Sequence, residues 1–332
     1  MTTRLLITGA GGYTGSQLIN KLKDDHSFEI LATDVRFSNQ QGRELRQLCD
    51  IRNKDEVLRM FEDFNPDVVV HLASIVTPSK KSNREFEYQV DVNGSEYVLA
   101  ACQATKVKRL IVTSSGAAYG YYADNSIPLT EADPIRGNYE FAYSYHKRLV
   151  EELLAKHTSS GQLPEIVIFR VGTILGNSTN NQITALFERK TLPAVVGSDS
   201  PFVFIWDQDV IGAIHHALLR KNNQGSEYSF QSPAGVYNLA GDGWLKIDEI
   251  ATKLGKPVKR YPAVLLKIIF GLLKPIKLSR YGPEQVRFLQ YRPVLDNTAL
   301  KTKFGYTPQK NSAEVFDFFC QALKKRKAES TI

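Results

Sequence analysis

The chain has 332 residues, 42% of them hydrophobic and 23% charged, which fits an ordinary soluble globular protein of one large domain or two smaller ones. Its net charge of +7 is modest, with four cations in the tail Lys324-Lys325-Arg326-Lys327, and no aromatic–basic interleaving argues for a nucleic-acid partner. Three scattered cysteines, Cys49, Cys102 and Cys320, and six histidines without ligand spacing suggest neither a disulfide framework nor a metal site.

A first strand is predicted over 4–8, so near Met1 that no signal peptide is expected, and a cytoplasmic protein follows as the expectation. It breaks into Thr8-Gly9-Ala10-Gly11-Gly12-Tyr13-Thr14-Gly15, where a helix is predicted to start. Such a strand–turn–helix gathers unpaired helix N–H groups and the positive end of the helix dipole at one point, which suits a pyrophosphate. Gly9, Gly12 and Gly15 spell G-x-x-G-x-x-G rather than the commoner G-x-G-x-x-G. The next strand, 28–34, ends at Asp34, about where a carboxylate meets the adenosine ribose hydroxyls. A carboxylate there repels a 2′-phosphate and favours NAD over NADP, while Arg36 pulls the other way.

Further strands are predicted at 46–50, 67–72, 109–114 and 165–170, alternating with helices that include 86–105 and 139–157. The alternation argues for an α/β, Rossmann-type doubly wound parallel sheet. Asp67 to Leu72 has the near-continuous apolar character of a strand covered on both faces. The strand 109–114 runs into serines, and Tyr143 and Lys147 fall four apart, hence on one face of the second helix. An ammonium beside a phenol favours phenolate, so the tyrosine is expected to be acidified and to exchange a proton with a substrate alcohol.

After Arg170 the pattern turns irregular. The stretch 173–201 is rich in Asn, Thr, Gly and Ser, a strand and helix are expected around 202–220, and Val236 to Leu239 reads as one more strand. Residues 262–274 form an apolar run too short to span a bilayer. It reads as a helix on the domain core, a greasy substrate lid or a membrane-surface contact, and leans toward an apolar or lipid-linked substrate. A last helix is predicted over 313–323, followed by the basic tail 324–332.

Together these segments resemble the extended branch of the short-chain dehydrogenase/reductase superfamily, the NAD-dependent epimerase/dehydratase family, which includes nucleotide-sugar epimerases, dehydratases and reductases and also hydroxysteroid and flavonol reductases. Thr8 to Gly15 is similar to its T-G-x-x-G-x-x-G turn, Cys49-Asp50-Ile51 to the adenine-contacting segment, His71 to Ser74 to H-L-A-A, and Asp91 to Gly94 to N-V-x-G. Ser114 to Gly120 resembles S-S-x-x-x-Y-G, Tyr143 to Lys147 the Y-x-x-x-K pair, and Phe204 to Val210 the segment that returns the chain to the sheet. The resemblance implies a catalytic set of Ser115, Tyr143 and Lys147. It implies cofactor contacts from Gly9, Gly12, Tyr13, Thr14, Gly15, Asp34, Arg36, Asp50, Ile51, Leu72, Ala73, Ser74, Asn93 and Val171 besides Tyr143 and Lys147, and substrate contacts from Ser115, Tyr119 and Thr173. It also implies a nucleotide domain of 1–172 plus 202–240, an interleaved substrate domain of 173–201 plus 241–323, a small-molecule substrate and a homodimer.

Two departures bear on the subclass. Gly116-Ala117 stands where sugar dehydratases of the family carry an Asp-Glu pair, which disfavours that reaction. Thr173 stands near the place of an asparagine that reaches a substrate diphosphate, although Arg260, Arg280 and Arg292 remain as phosphate candidates. The leading expectation is a nucleotide-sugar epimerase or reductase. The alternatives are a dehydrogenase/reductase of a steroid-like or isoprenoid alcohol, and a non-catalytic dinucleotide-binding regulator.

Overall fold

A computed structural model describes residues 2–37, 42–77, 83–162, 164–221, 229–273 and 282–329. Strands β1 (Thr3–Thr8), β2 (Phe28–Asp34), β3 (Leu45–Leu48), β4 (Val68–His71), β5 (Arg109–Ser115) and β6 (Glu165–Val171) follow the sequence expectations closely. With β10 (Gly235–Leu239) they form one parallel sheet in the order β10-β6-β5-β4-β1-β2-β3. The order reverses at β1, between β2 and β4, and a crevice opens there at the carboxyl ends of the strands.

Burial explains the strand composition. Val68, Val69 and Val70 are fully buried, because the two faces of the sheet carry separate apolar clusters. One contains Leu5, Ile7, Leu18 of α1 (Tyr13–Leu22) and Ile214 of α7 (Asp207–Leu218). The other contains Leu6, Val69, Phe61 of α2 (Lys54–Phe64), Leu99 of α4 (Gly94–Ala104) and Val150 of α5 (Ala142–Thr158). Helix α4 is entered from α3 (Arg84–Tyr88) through a π turn, Gln89–Asn93, which carries Asp91 into the interior.

Three expectations need correction. Phe204–Trp206 (β9) does not join the central sheet; it pairs with Thr173–Leu175 (β7), and only the helix that follows packs back on the sheet beside α1. The rings of Phe202 and Phe204 instead join Phe187, Phe316 and Phe319 in an aromatic cluster of the C-terminal part. Second, the last helix, α11, spans Ser312–Glu329, so most of the basic tail is helical, as strong helix formers allow. Third, of the readings left open for the apolar run 262–274, a core helix does not fit its described part: within α9 (Ala263–Leu273) only Leu266 is buried. The remaining helices are α6 (Gln182–Glu188), α8 (Ile247–Leu254) and α10 (Gln285–Gln290), and β8 (Leu192–Val195) pairs with β11 (Val258–Tyr261).

Candidate active site

A cleft of about 920 Å³ lies over the crevice. Of the expected site residues it is lined by Gly9, Gly12, Tyr13, Thr14, Gly15, Leu72, Ser74, Ser115, Tyr143, Lys147, Val171 and Thr173. The glycine turn is as tight as its composition requires. Gly9 has φ +68°, and a side chain on it would strike the Leu72–Ala73 backbone. A Cβ on Gly15 would sit 2.5 Å from the Gly9 carbonyl oxygen and 2.6 Å from the Ala10 Cα. Gly12 caps α1 without any side-chain hydrogen bond, leaving the first N–H groups of the helix to an anion. The Asp34 carboxylate accepts from Gly11 N at 3.0 Å and Arg36 N at 3.3 Å, which fixes it beside the turn. These are the features a dinucleotide pyrophosphate and ribose require, so the residues present fit NAD.

The other expected cofactor residues stand outside the cleft lining. Arg36 is exposed, Asp50 holds Arg52 at 2.5 Å, Ile51 packs beneath Gly94, Ala73 backs Gly9 through its backbone, and Asn93 lies in the π turn. Tyr119 is corrected outright. It is fully buried, and its hydroxyl bonds the Thr130 carbonyl at 2.8 Å, Asn238 at 2.9 Å and Arg170 at 2.7 Å, so it cannot meet a substrate. A residue on a short 3-10 turn, Gly116–Tyr119, can face either way, and spacing alone does not say which.

Helix α5 is docked by Ser144, whose hydroxyl donates to the Ala117 carbonyl at 2.6 Å and accepts from Asn138 N at 3.0 Å. This sets Tyr143 beside Ser115, whose hydroxyl favours the phenolate but does not win. Burial dominates and pushes Tyr143 up to about 12, with Asp91 acting in the same direction. The expected acidification by lysine is therefore not the net result. Lys147 is itself buried, donates to the Thr113 carbonyl at 2.9 Å, and has its nitrogen 5.6 Å from the Tyr143 ring centre. Burial also lowers Lys147, against the pull of Asp91 and Glu151.

Sequence reading took Asp91 for a helix element and missed its position behind this pair. Its carboxylate accepts from Ser74 Oγ at 2.9 Å and Ile75 N at 2.8 Å and faces His146 Nδ1 at 3.1 Å. It ties the loop after β4 to α5. His146 is fully buried, and among the described residues its Nε2 has no partner. Nothing in the spacing of Tyr143 to Lys147 marks that histidine.

Of the two described arginines among the three considered for phosphate, Arg292 lines the cleft and Arg260 does not. Arg260 pairs with Asp248 at 2.5 Å, and Arg280 lies outside the described residues. Arg292 is buried, lies over the rings of Phe202 and Phe288 at 3.8 and 4.8 Å, and donates only a 3.3 Å bond to the Leu289 carbonyl. Among the described residues no carboxylate pairs with it, its Nε is unpartnered, and burial lowers it to about 9. Tyr121, Phe141, Phe288 and Leu295 make the surrounding wall apolar.

The profile of the NAD dependent epimerase/dehydratase family matches residues 5–240. The chain belongs to this family. NAD is therefore its cofactor, as the turn and Asp34 suggest. An uncharacterised protein of Mycobacterium tuberculosis is 21% identical, the match covering 94% of this chain and 82% of that one. An Arabidopsis thaliana 3beta-hydroxysteroid-dehydrogenase/decarboxylase (isoform 1) is 24% identical over 91% of this chain and 75% of its own. The fold is similar to that of the Bordetella bronchiseptica enzyme WbmG, crystallised with NAD and UDP. The TM-score is 0.73 at 19% identity, covering 98% of this chain and 95% of the other.

Proposed function

We propose that this family member transfers hydride at a secondary alcohol or ketone of an anionic substrate, and that the substrate is a nucleotide sugar undergoing epimerisation or reduction. The convergence of Ser115, Tyr143 and Lys147 at the cleft that begins at the glycine turn carries the reaction type. NAD, when bound, supplies the hydride acceptor. Ser115 orients the substrate oxygen, and Tyr143 exchanges the proton with it. Lys147, anchored on the Thr113 carbonyl behind the tyrosine, would hold the cofactor ribose hydroxyls. A phenol held near 12 is protonated at neutral pH, ready to act as an acid toward a ketone; the opposite direction gains as pH rises. Gly116-Ala117 supplies no acid and base for water elimination, so a sugar dehydratase is disfavoured.

Arg292 carries the substrate reading. A buried guanidinium without a carboxylate is costly unless a ligand neutralises it, and a diphosphate does so. The apolar wall favours a second reading, a steroid-like hydroxy acid, whose carboxylate would meet Arg292 equally well. The test is ligand-induced thermal shift of the NAD-loaded protein with nucleotide sugars and with hydroxylated sterol acids. Stabilisation by nucleotide sugars without net NADH accumulation supports an epimerase. Stabilisation by sterol acids alone, with NADH produced, replaces the first reading by the second.

A further inference from the structure

Helix α9 presents Val264, Leu265, Ile268, Ile269 and Leu272 to solvent, with exposures of 38–69%. Their spacing of one, three, one and three residues puts them on a single stripe of the helix. The opposite side is satisfied: Leu266 and Phe270 pack with Val195, Val286 and Phe288. None of the stripe residues lines the cleft, so the stripe is no lid over it. Val196, 56% exposed, extends the apolar surface, because its N–H bonds Tyr261 at the start of the helix.

The charge around this stripe identifies its partner. Among the described residues, 251–273 hold five Lys/Arg and no Asp/Glu, whereas the whole chain nets only +7. The basic excess of the protein is therefore concentrated here, not in the tail alone. Among the described residues, Lys253 and Arg260 are paired with Asp317 and Asp248, while Lys267 is exposed on α9 itself and Lys259 is exposed on β11, its nitrogen 5.5 Å from the ring of Tyr261, two residues before the helix. Two copies meeting through this face would bring like charges together, whereas an anionic surface would neutralise them.

We infer that α9 docks the protein on an anionic phospholipid surface, its stripe entering the headgroup boundary and Lys259 and Lys267 meeting lipid phosphates. At about 16 Å the helix is far shorter than the hydrocarbon core, so it lies in the interface and does not cross. Phe288 and Gln285 of the adjoining α10 line the cleft, which places the substrate entrance next to the docked face. This docking is independent of which substrate the cleft takes.

The experiment is co-sedimentation of the full chain, loaded with NAD, with vesicles of phosphatidylcholine alone or mixed in roughly equal parts with phosphatidylglycerol. The protein should sediment with the mixed vesicles only, and less in high salt. An Ile268→Ser/Leu272→Ser variant should partition at least about tenfold less while keeping its NAD-induced thermal shift. Equal behaviour on both vesicle types, or unchanged partition of the variant, overturns the inference. So does a dimer, seen by analytical ultracentrifugation without lipid, that the same substitutions dissociate.

Discussion

Replacing Arg292 by methionine separates a substrate-binding role from a structural one. Burial lowers the guanidinium from 12.5 to about 9, which corresponds to a penalty of about 5 kcal/mol on the charged form at neutral pH. The sign is fixed because the folded value lies below the unfolded one: the penalty applies throughout the range below about 9. The faces of Phe202 and Phe288 return about 1–2 kcal/mol each. A net gain of about 1–3 kcal/mol is then expected from Arg292→Met, within the range seen when buried ions give way to apolar side chains. Urea unfolding of the free proteins measures it, and thermal shift with the ligand that the screen of nucleotide sugars and sterol acids selects measures the loss of ligand binding. A variant that is destabilised by more than about 1 kcal/mol, or that binds substrate as well as the parent, refutes the assignment.

Other consequences are as direct. Gly15→Ala drives a methyl group into the Gly9 and Ala10 backbone, which cannot swing away; calorimetric titration should show NAD affinity down at least about tenfold, with about 1–3 kcal/mol of stability lost. Asp34→Ala removes the carboxylate beside the turn, and competition titrations should shift the NADP-to-NAD affinity ratio upward by about tenfold. Buried His71, held between Thr8 and Ser95, has its pKa lowered to about 3. The unfolded chain binds that proton and the folded one does not. Stability is thus complete above about pH 6.5 and falls by about 1.4 kcal/mol per pH unit below it. Urea unfolding of His71→Asn between pH 7 and pH 4, on the order of four measurements, should show a shallower slope than the parent; parallel slopes would remove His71 as the cause.

Much of this site was legible because its signals are local. The glycine turn, Asp34 and the four-residue step from Tyr143 to Lys147 follow from backbone periodicity, and the strands of the sheet from apolar runs such as Val68 to Val70. What failed depends on tertiary surroundings. Tyr119 sits in a motif yet turns inward to Asn238 and Arg170. Phe204 reads as a sheet strand but is drawn off by the aromatic cluster around Phe187 and Phe316. The pair of Asp91 and His146 spans two distant helical segments, and only their packing brings it together. The four-residue step to Lys147 predicts an acidified tyrosine, whereas burial of the phenol, with Asp91 acting the same way, raises it. That no carboxylate among the described residues pairs with Arg292 is invisible in sequence, since its potential partners come from every element around the cleft.

The central claim is tested most directly by Tyr143→Phe, which deletes one hydroxyl and leaves the ring that packs in the cleft. With the substrate found by thermal shift, the variant should bind NAD within about twofold of the parent and turn over about 10²–10⁴ times more slowly. Turnover within about tenfold of the parent would contradict proton exchange by this tyrosine.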